Sequence, residues 1–466
     1  MGYTLTMTKI FKLDLKLIIL TIATFLLIFR ILLLNNVEPI FGRFDSPSYF
    51  SFTFSGGVRM PLISFIFSQI QDYYKIMIFH AIISSISWTI LSLVLFRFKF
   101  NKILTFFMAI LILSLGNSKP IIYLDSVIDS ESLAISFLVI LFASVLSFYA
   151  RQSKLSILFI LIACILFAGI KSINAIIILL PLCFVLYVIF RNKDYIYTPG
   201  KILIFLTTSI SVLSIYLFLN IQATQILNTS GVINARLWKV ESWKKDVLES
   251  GFPVEARSTY LRFTNRNLGL PPDTAVANLP KYLEWYENGG DKFLIKFMIT
   301  NPGYTVFSST LLPVFTREIN FEDTIWRAAA DGILYYESRQ HDLAVKSPEN
   351  YLFWSQERSS GYLQVALFLI LIVLGLGLRL KKYSSRYLLQ NAIVLLLFVS
   401  FFNSFLSWWF GSTPSDVGRH QFPFSVSLRI IAILSLLLLM ETFIKDATKA
   451  DFLQHFLGFR KNNSKD

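Results

Sequence analysis

The sequence predicts an all-α, multi-pass membrane protein of about ten transmembrane helices with one small, mostly helical domain on the outer, periplasmic side. Three observations carry this. The chain has 466 residues, yet only 15% are charged, and 45 are Phe. Its mean hydropathy is +0.60. Apolar runs long enough to span a bilayer recur along its length. Helices are the default for such runs, because lipid offers backbone groups no other partner.

The runs fall at 15–34, 76–96, 103–115, 133–150, 155–170, 173–190, 202–219, 362–380, 387–410 and 424–443. Two of them, 103–115 and 155–170, are short for a bilayer and invite a break or a tilt. The first is not expected to be a cleaved signal: it is long, carries Arg30, and no small-residue cleavage site follows it. The organisation expected is a membrane module over 1–219 with its first outer loop at 35–75, an outer domain over 220–361, further membrane helices over 362–443, and a tail over 444–466.

Charge orients the spans. The formal net charge is +14, but residues 221–360 hold 15 basic and 16 acidic residues, so the basic excess sits in the membrane-embedded part. Lys9, Lys12, Arg97, Lys99, Lys102, Arg151, Lys154, Arg191, Lys193, Arg379, Arg386 and Lys445 flank alternate connectors, which places those connectors and both termini in the cytoplasm. This distribution is a topology signal and not a nucleic-acid surface. The stretch 293–315 reads as a helix lying on the outer leaflet, since a crossing there would invert the charge rule. Cys164 and Cys183 both fall in apolar spans, which disfavours a structural disulfide, and no metal-ligand spacing occurs.

Chemistry-bearing residues concentrate on the predicted outer side. Arg43, Arg59, Lys171 and Arg419 stand where the charge rule disfavours them, and Arg30 and Arg429 lie inside spans. An intramembrane Arg is costly and marks a candidate site, although each alone is also explained by snorkelling to lipid phosphates. As a set they suit an anionic lipid headgroup. Outward carboxylates accompany them: Asp45 in the first loop, and Asp125, Asp129 and Glu131 in the second. Asp45 before Ser46-Pro47 is also a helix-start signal, and Asp129 or Ser130 could cap the next span. A cap and a general base are compatible, because the base needs reach first and a suitable pKa second. His80, inside a span, is expected to hydrogen-bond a neighbour. The outer-domain aromatics, among them Trp238, Trp243, Trp285 and Tyr286, are expected to be core rather than a glycan cleft.

The order of these motifs resembles one family. Asp45…Tyr49, then Gly57-x-Arg59-x-Pro61, is similar to the first outer loop of bacterial GT-C glycosyltransferases, which include aminoarabinose transferases and protein O-mannosyltransferases. Asp125–Glu131 before an apolar helix resembles their acidic second loop. Lys171 then Pro181 and Arg419-His420-x-x-Pro423 resemble their later Arg…Pro and R-Y-x-x-P motifs. Met60 stands where Pro is common, Lys171 where Arg is, and His420 where Tyr is. The resemblance implies an inverting sugar transfer from a polyprenyl-phosphate donor to a glycan, lipid or protein acceptor, at the outer face of a bacterial inner (plasma) membrane. It implies Asp45 as general base and Arg59, Lys171, Arg419 and His420 at the lipid phosphate. Asp125, Asp129 and Glu131 would position the acceptor or hold a divalent ion. Arg43, Tyr49, Arg30 and Arg429 would lend support. Some relatives use a metal and others do not; no His-rich ligand set supports one here. Two alternatives stay open. A polysaccharide polymerase or ligase would lean on Arg236, Arg257, Arg262 and Arg266. A lipid or glycan carrier would need a polar path across the membrane.

Overall fold

The computed structural model describes residues 14–41, 49–50, 53–54, 57–58, 60–191, 198–219, 222–266, 272–302, 369–375, 384–410 and 414–447. Within them the chain is almost wholly helical, as expected; the exceptions are two pairings of two-residue strands. Helix α1 (Leu15–Leu34) starts where the Asp14 carboxylate accepts from the Lys16 amide at 3.0 Å. Strands β1 (Ile40–Phe41), β2 (Thr53–Phe54) and β3 (Gly57–Val58) follow, then α2 (Pro61–Ile70) and α3 (Tyr73–Val94). Next come α4 (Lys102–Gly116), α5 (Lys119–Ser126), β4 (Val127–Ile128), α6 (Glu131–Ala150) and α7 (Lys154–Ala168). The short α8 (Ser172–Ile177) leads into α9 (Leu179–Arg191) and α10 (Thr198–Leu219).

Six described helical stretches are long and apolar enough to cross a membrane: Leu15–Leu34, Tyr73–Arg97, Glu131–Ala150, Ser172–Phe190, Ser385–Ser407 and Phe422–Lys445. A seventh is reached if Lys102–Gly116 and Pro120–Ser126, bent by 43° at a break, form one span. Of the two short runs, one takes part in this break, and the other is the 15-residue α7. The predicted span at 362–380 lies largely outside the described residues.

Helix α6 is the axis of the bundle. Every residue from Glu131 to Phe148 is buried. A helix apolar on all faces belongs in a core, and α3, α7 and α17 (Ser385–Phe410) all pack on it. Two of its serines turn their hydroxyls back on the helix, Ser136 donating to the Ser132 carbonyl at 2.8 Å and Ser144 to the Leu141 carbonyl at 2.7 Å, so these small polar residues let neighbours approach without orphaned groups. Gly116 permits one such approach: a Cβ there would sit 2.3 Å from the Trp88 ring.

The two ends of α6 differ. At its C-terminal end Arg97 donates to the Ser147 hydroxyl. Nearby, the Asn101 amide donates to Glu441 at 2.9 Å, and Lys445 pairs with Glu441 at 2.8 Å. Basic connectors read as cytoplasmic therefore meet at one end. The acidic loop lies at the other, about 30 Å away along α6.

A second hydrophobic core belongs to a small helical unit: α11 (Gln222–Ala235), α12 (Glu241–Glu249), α13 (Val254–Arg266), α14 (Pro272–Ala277), α15 (Pro280–Glu287) and α16 (Phe293–Thr300). Among its aromatics, Trp285 is core, as expected, while Trp238, Trp243 and Tyr286 are half-buried and pack against that core; Tyr282 is inaccessible and donates to the Ile226 carbonyl at 2.7 Å, and Trp285 donates to Ser250 O at 2.9 Å. Gly289 takes a φ of 113°, and Gly290 lies against the Trp285 ring, which explains that Gly-Gly pair. The unit contacts β3 and α17 through α11. The interfacial stretch predicted at 293–315 is described as helix over Phe293–Thr300, and the rest of it lies outside the described residues. The chain ends its described part with α17 and α18 (Pro414–Ala447).

Three sequence expectations change. The first loop contains α2, opened by Pro61 at its first turn, where proline's fixed φ and missing N–H are tolerated. The acidic second loop is mostly helix and strand. The connector expected at 411–423 is helical from Pro414, so Arg419 and His420 sit within α18 and not in a loop ahead of it. Pro423 is accommodated inside that helix, its carbonyl accepting from the Ser427 hydroxyl at 2.7 Å.

Candidate functional site

Three connectors predicted to face outward converge at the N-terminal end of α6. The first and second are stitched by a parallel pairing of β1 with β4, Ile40 opposite Val127 and Phe41 opposite Ile128. They meet again at Tyr49, whose buried hydroxyl donates to Asp129 Oδ1 at 2.6 Å and lies 3.2 Å from Ser130 Oγ. The Tyr49 ring is held edge-on to Phe67 of α2 at 5.4 Å. The third connector joins through Lys171, whose ammonium pairs with Glu131 Oε1 at 2.6 Å. It joins again through α2, where the Ile63 amide donates to Gly169 O at 3.4 Å. Leu62 packs on Gly169 so closely that a Cβ there would lie 2.7 Å from it.

Asp45 falls between Phe41 and Tyr49, two positions that both engage the acidic loop. Arg59 falls between β3 and the buried Met60 that precedes α2. Arg43, Asp45 and Arg59 themselves lie outside the described residues. Arg419 and His420 are described only as helix backbone.

Asp129 does not cap α6. Its Oδ1 accepts from the adjacent Ser130 amide at 2.6 Å and from Tyr49, so the cap reading fails and a carboxylate aimed at the first loop replaces it. Ser130 occupies the cap position without a side-chain capping bond. Glu131, in the first turn of α6, is well placed for the positive end of that helix's dipole.

Beneath this layer lies a second one. Arg30 is completely buried and donates from Nε to Asp125 Oδ2 at 2.6 Å, from Nη1 to Gly116 O at 3.0 Å, and from Nη2 to Ser84 Oγ at 3.0 Å and Ile121 O at 3.3 Å. Asp125 Oδ1 accepts from Ser132 Oγ at 2.7 Å. His80 Nδ1 lies 3.2 Å from the Asp125 carbonyl oxygen. A carbonyl only accepts, so Nδ1 is the donor in this contact. The ring's Nε2 is buried without a hydrogen-bond partner among the described residues. Arg30 thus acts inside the protein and is not the lipid-phosphate ligand its isolation in a span suggested. Ser84 and Ser132 escaped the sequence reading. Ser84 had one signal, its place one turn after His80 on the same helix face.

Arg429 is also buried, and it donates to the carbonyl and hydroxyl of Ser425 one turn earlier in α18. No group of three or more His, Cys, Asp or Glu side chains arranged for a metal ion occurs among the described residues. Of the four arginines in the small helical unit, Arg257 donates to Asn234 O and lies about 6 Å from the Trp238 and Tyr260 rings, where burial lowers its pKa. Arg236 is buried.

No family model, curated protein or solved structure matches the chain. Its fold defines an all-α, multi-pass integral membrane protein. Its site defines it further: among the described residues, the Tyr49 hydroxyl, the carboxylates of the second connector and the Lys171 ammonium, from three separate connectors, gather at one end of the bundle.

One prediction follows locally. Tyr49→Phe removes a donor from a buried carboxylate, so it should cost about 1.5–3 kcal/mol of stability. The shift in thermal midpoint of purified Tyr49→Phe against the wild type measures it, since the ring contact with Phe67 is kept and only the hydroxyl is lost.

Proposed function

We propose that the chain is a GT-C-type membrane glycosyltransferase. It moves a sugar from a polyprenyl-phosphate donor to a glycan, lipid or protein acceptor at the outer face of the membrane. The observation that carries this reading is the double tether of the first loop to the acidic loop, through the β1–β4 pairing and through Tyr49–Asp129, on either side of Asp45. In the reaction Asp45 accepts the acceptor's hydroxyl proton as the oxygen attacks the anomeric carbon. The bond from that carbon to the phosphate oxygen breaks, the configuration inverts, and polyprenyl phosphate leaves. Arg59, with Lys171 or Arg419, offsets the charge growing on the phosphate. Fixed cations in a water-poor site can supply several kcal/mol of that stabilisation. Asp129 and Glu131 orient the acceptor.

The polymerase or ligase reading is weaker, because Arg257 and Arg236 are built into the small unit's own packing. The test uses the full chain in lipid nanodiscs. Radiolabelled polyprenyl-phosphate pentoses and hexoses are offered with the host's envelope glycan and lipid fractions as acceptor. Transfer that falls at least tenfold in Lys171→Met and persists in Arg262→Ala supports the proposal. Transfer indifferent to Lys171→Met and lost in Arg262→Ala replaces it with the polymerase or ligase.

A further inference from the structure

The Arg30–Asp125 pair is the one charged contact between two such completely buried groups among the described residues, and nothing in the proposed reaction uses it. Three physical facts bear on what it does. First, it joins many elements: through its hydrogen bonds α1, α3, α4, α5 and α6 all end on these two side chains. Second, it sits at the root of the acidic loop. Asp125 precedes Asp129 by four residues and Glu131 by six, and the chain between them is β4 and one turn. Third, it is a poor glue. A buried ion pair loses so much hydration that an apolar pair of similar volume holds helices as well or better. Its distinguishing property is geometric. A planar guanidinium with four acceptors in fixed directions sets the position and rotation of whatever carries those acceptors.

We propose that Arg30 and Asp125 are positioning residues: together they fix the acidic loop so that Asp129 and Glu131 meet Tyr49 and Lys171 in reacting register. His80 belongs to the same device, holding the Asp125 main chain from the other side. The inference rests on the transferase reading, and its test separates the two.

The test is Arg30→Met/Asp125→Leu in nanodiscs, beside Arg30→Lys. The double variant should purify folded and lose far less stability than Arg30→Met alone, because no charge is left stranded. Its kcat for sugar transfer should fall about 10²-fold, the usual consequence of displacing a reacting group by about 1 Å, while KM for the polyprenyl-phosphate sugar moves less than about threefold. Amide hydrogen exchange over 127–131 should quicken at least tenfold, with the C-terminal half of α6 unchanged. Arg30→Lys keeps the charge but not the four directions, so its kcat should fall about tenfold. A well-folded double variant with wild-type kcat, or with unaltered exchange over 127–131, overturns the proposal. If the double variant does not fold, wild-type kcat in Arg30→Lys overturns it. Should the wild type transfer no sugar at all, the transferase reading fails by itself, and the exchange measurement still decides whether the pair sets the loop.

Discussion

Asp45→Asn should lower kcat for sugar transfer by about 10²–10⁴-fold, the range expected when a general base is removed. Asn keeps the size and one acceptor oxygen of Asp but cannot take up a proton. Donor binding should therefore survive, since the phosphate is held by cations and the tail by the bundle. Two measurements on one preparation separate these effects: initial rates with labelled donor, and equilibrium binding of the same donor. Loss of both would mean that Asp45 supports the pocket's shape. A normal rate in Asp45→Asn, with a large loss in Asp129→Asn, would move the base to the second loop. The structure makes that comparison sharp. Asp129 Oδ1 already accepts from Tyr49 and from the Ser130 amide. A carboxylate so engaged is suited to orienting a substrate hydroxyl rather than to taking its proton.

The bundle was largely legible because lipid enforces a simple rule. A run of some twenty apolar residues has no option but a helix, and the helices at Leu15–Leu34, Tyr73–Arg97 and Glu131–Ala150 stand where the runs put them. The site was legible by side, not by partner. Wrong-side charges marked the end of the bundle at which Tyr49, Asp129, Glu131 and Lys171 meet. Nothing in the chain announced that Arg30 finds Asp125, because the two are 95 positions apart and no periodicity links them. Read alone, Arg30 resembles any cation reaching for a lipid phosphate. The β1–β4 pairing was equally silent, since two residues a strand are too few to show alternation. The His80 contact is to a backbone carbonyl, a group every residue carries, so no side-chain pattern could foretell it. Helix α2 lies inside the stretch 35–75, which in sequence reads only as the first outer loop, and Pro61 begins it.

Arg30→Met alone should destabilise the protein by about 3–5 kcal/mol, far more than the double replacement with Asp125→Leu. The asymmetry comes from what each variant leaves behind. Without the guanidinium, Asp125 keeps only the Ser132 hydroxyl on its carboxylate, and the Gly116 and Ile121 carbonyls and the Ser84 hydroxyl lose the donors they receive from Arg30. A buried charge without its partner is the expensive state. Asp125→Leu alone should be destabilising for the mirror-image reason, with the positive charge of Arg30 stranded among three neutral acceptors. Removing both leaves no charge to strand. Thermal or denaturant unfolding of the four proteins in one detergent closes a double-mutant cycle, and a coupling energy of several kcal/mol is expected between residues in direct contact. Additive single effects would mean that each side chain contributes mainly packing. A large coupling, combined with a double variant that is stable but catalytically slow, would separate two roles that static coordinates superimpose. The charges would cancel each other's burial, and their directions would set the loop.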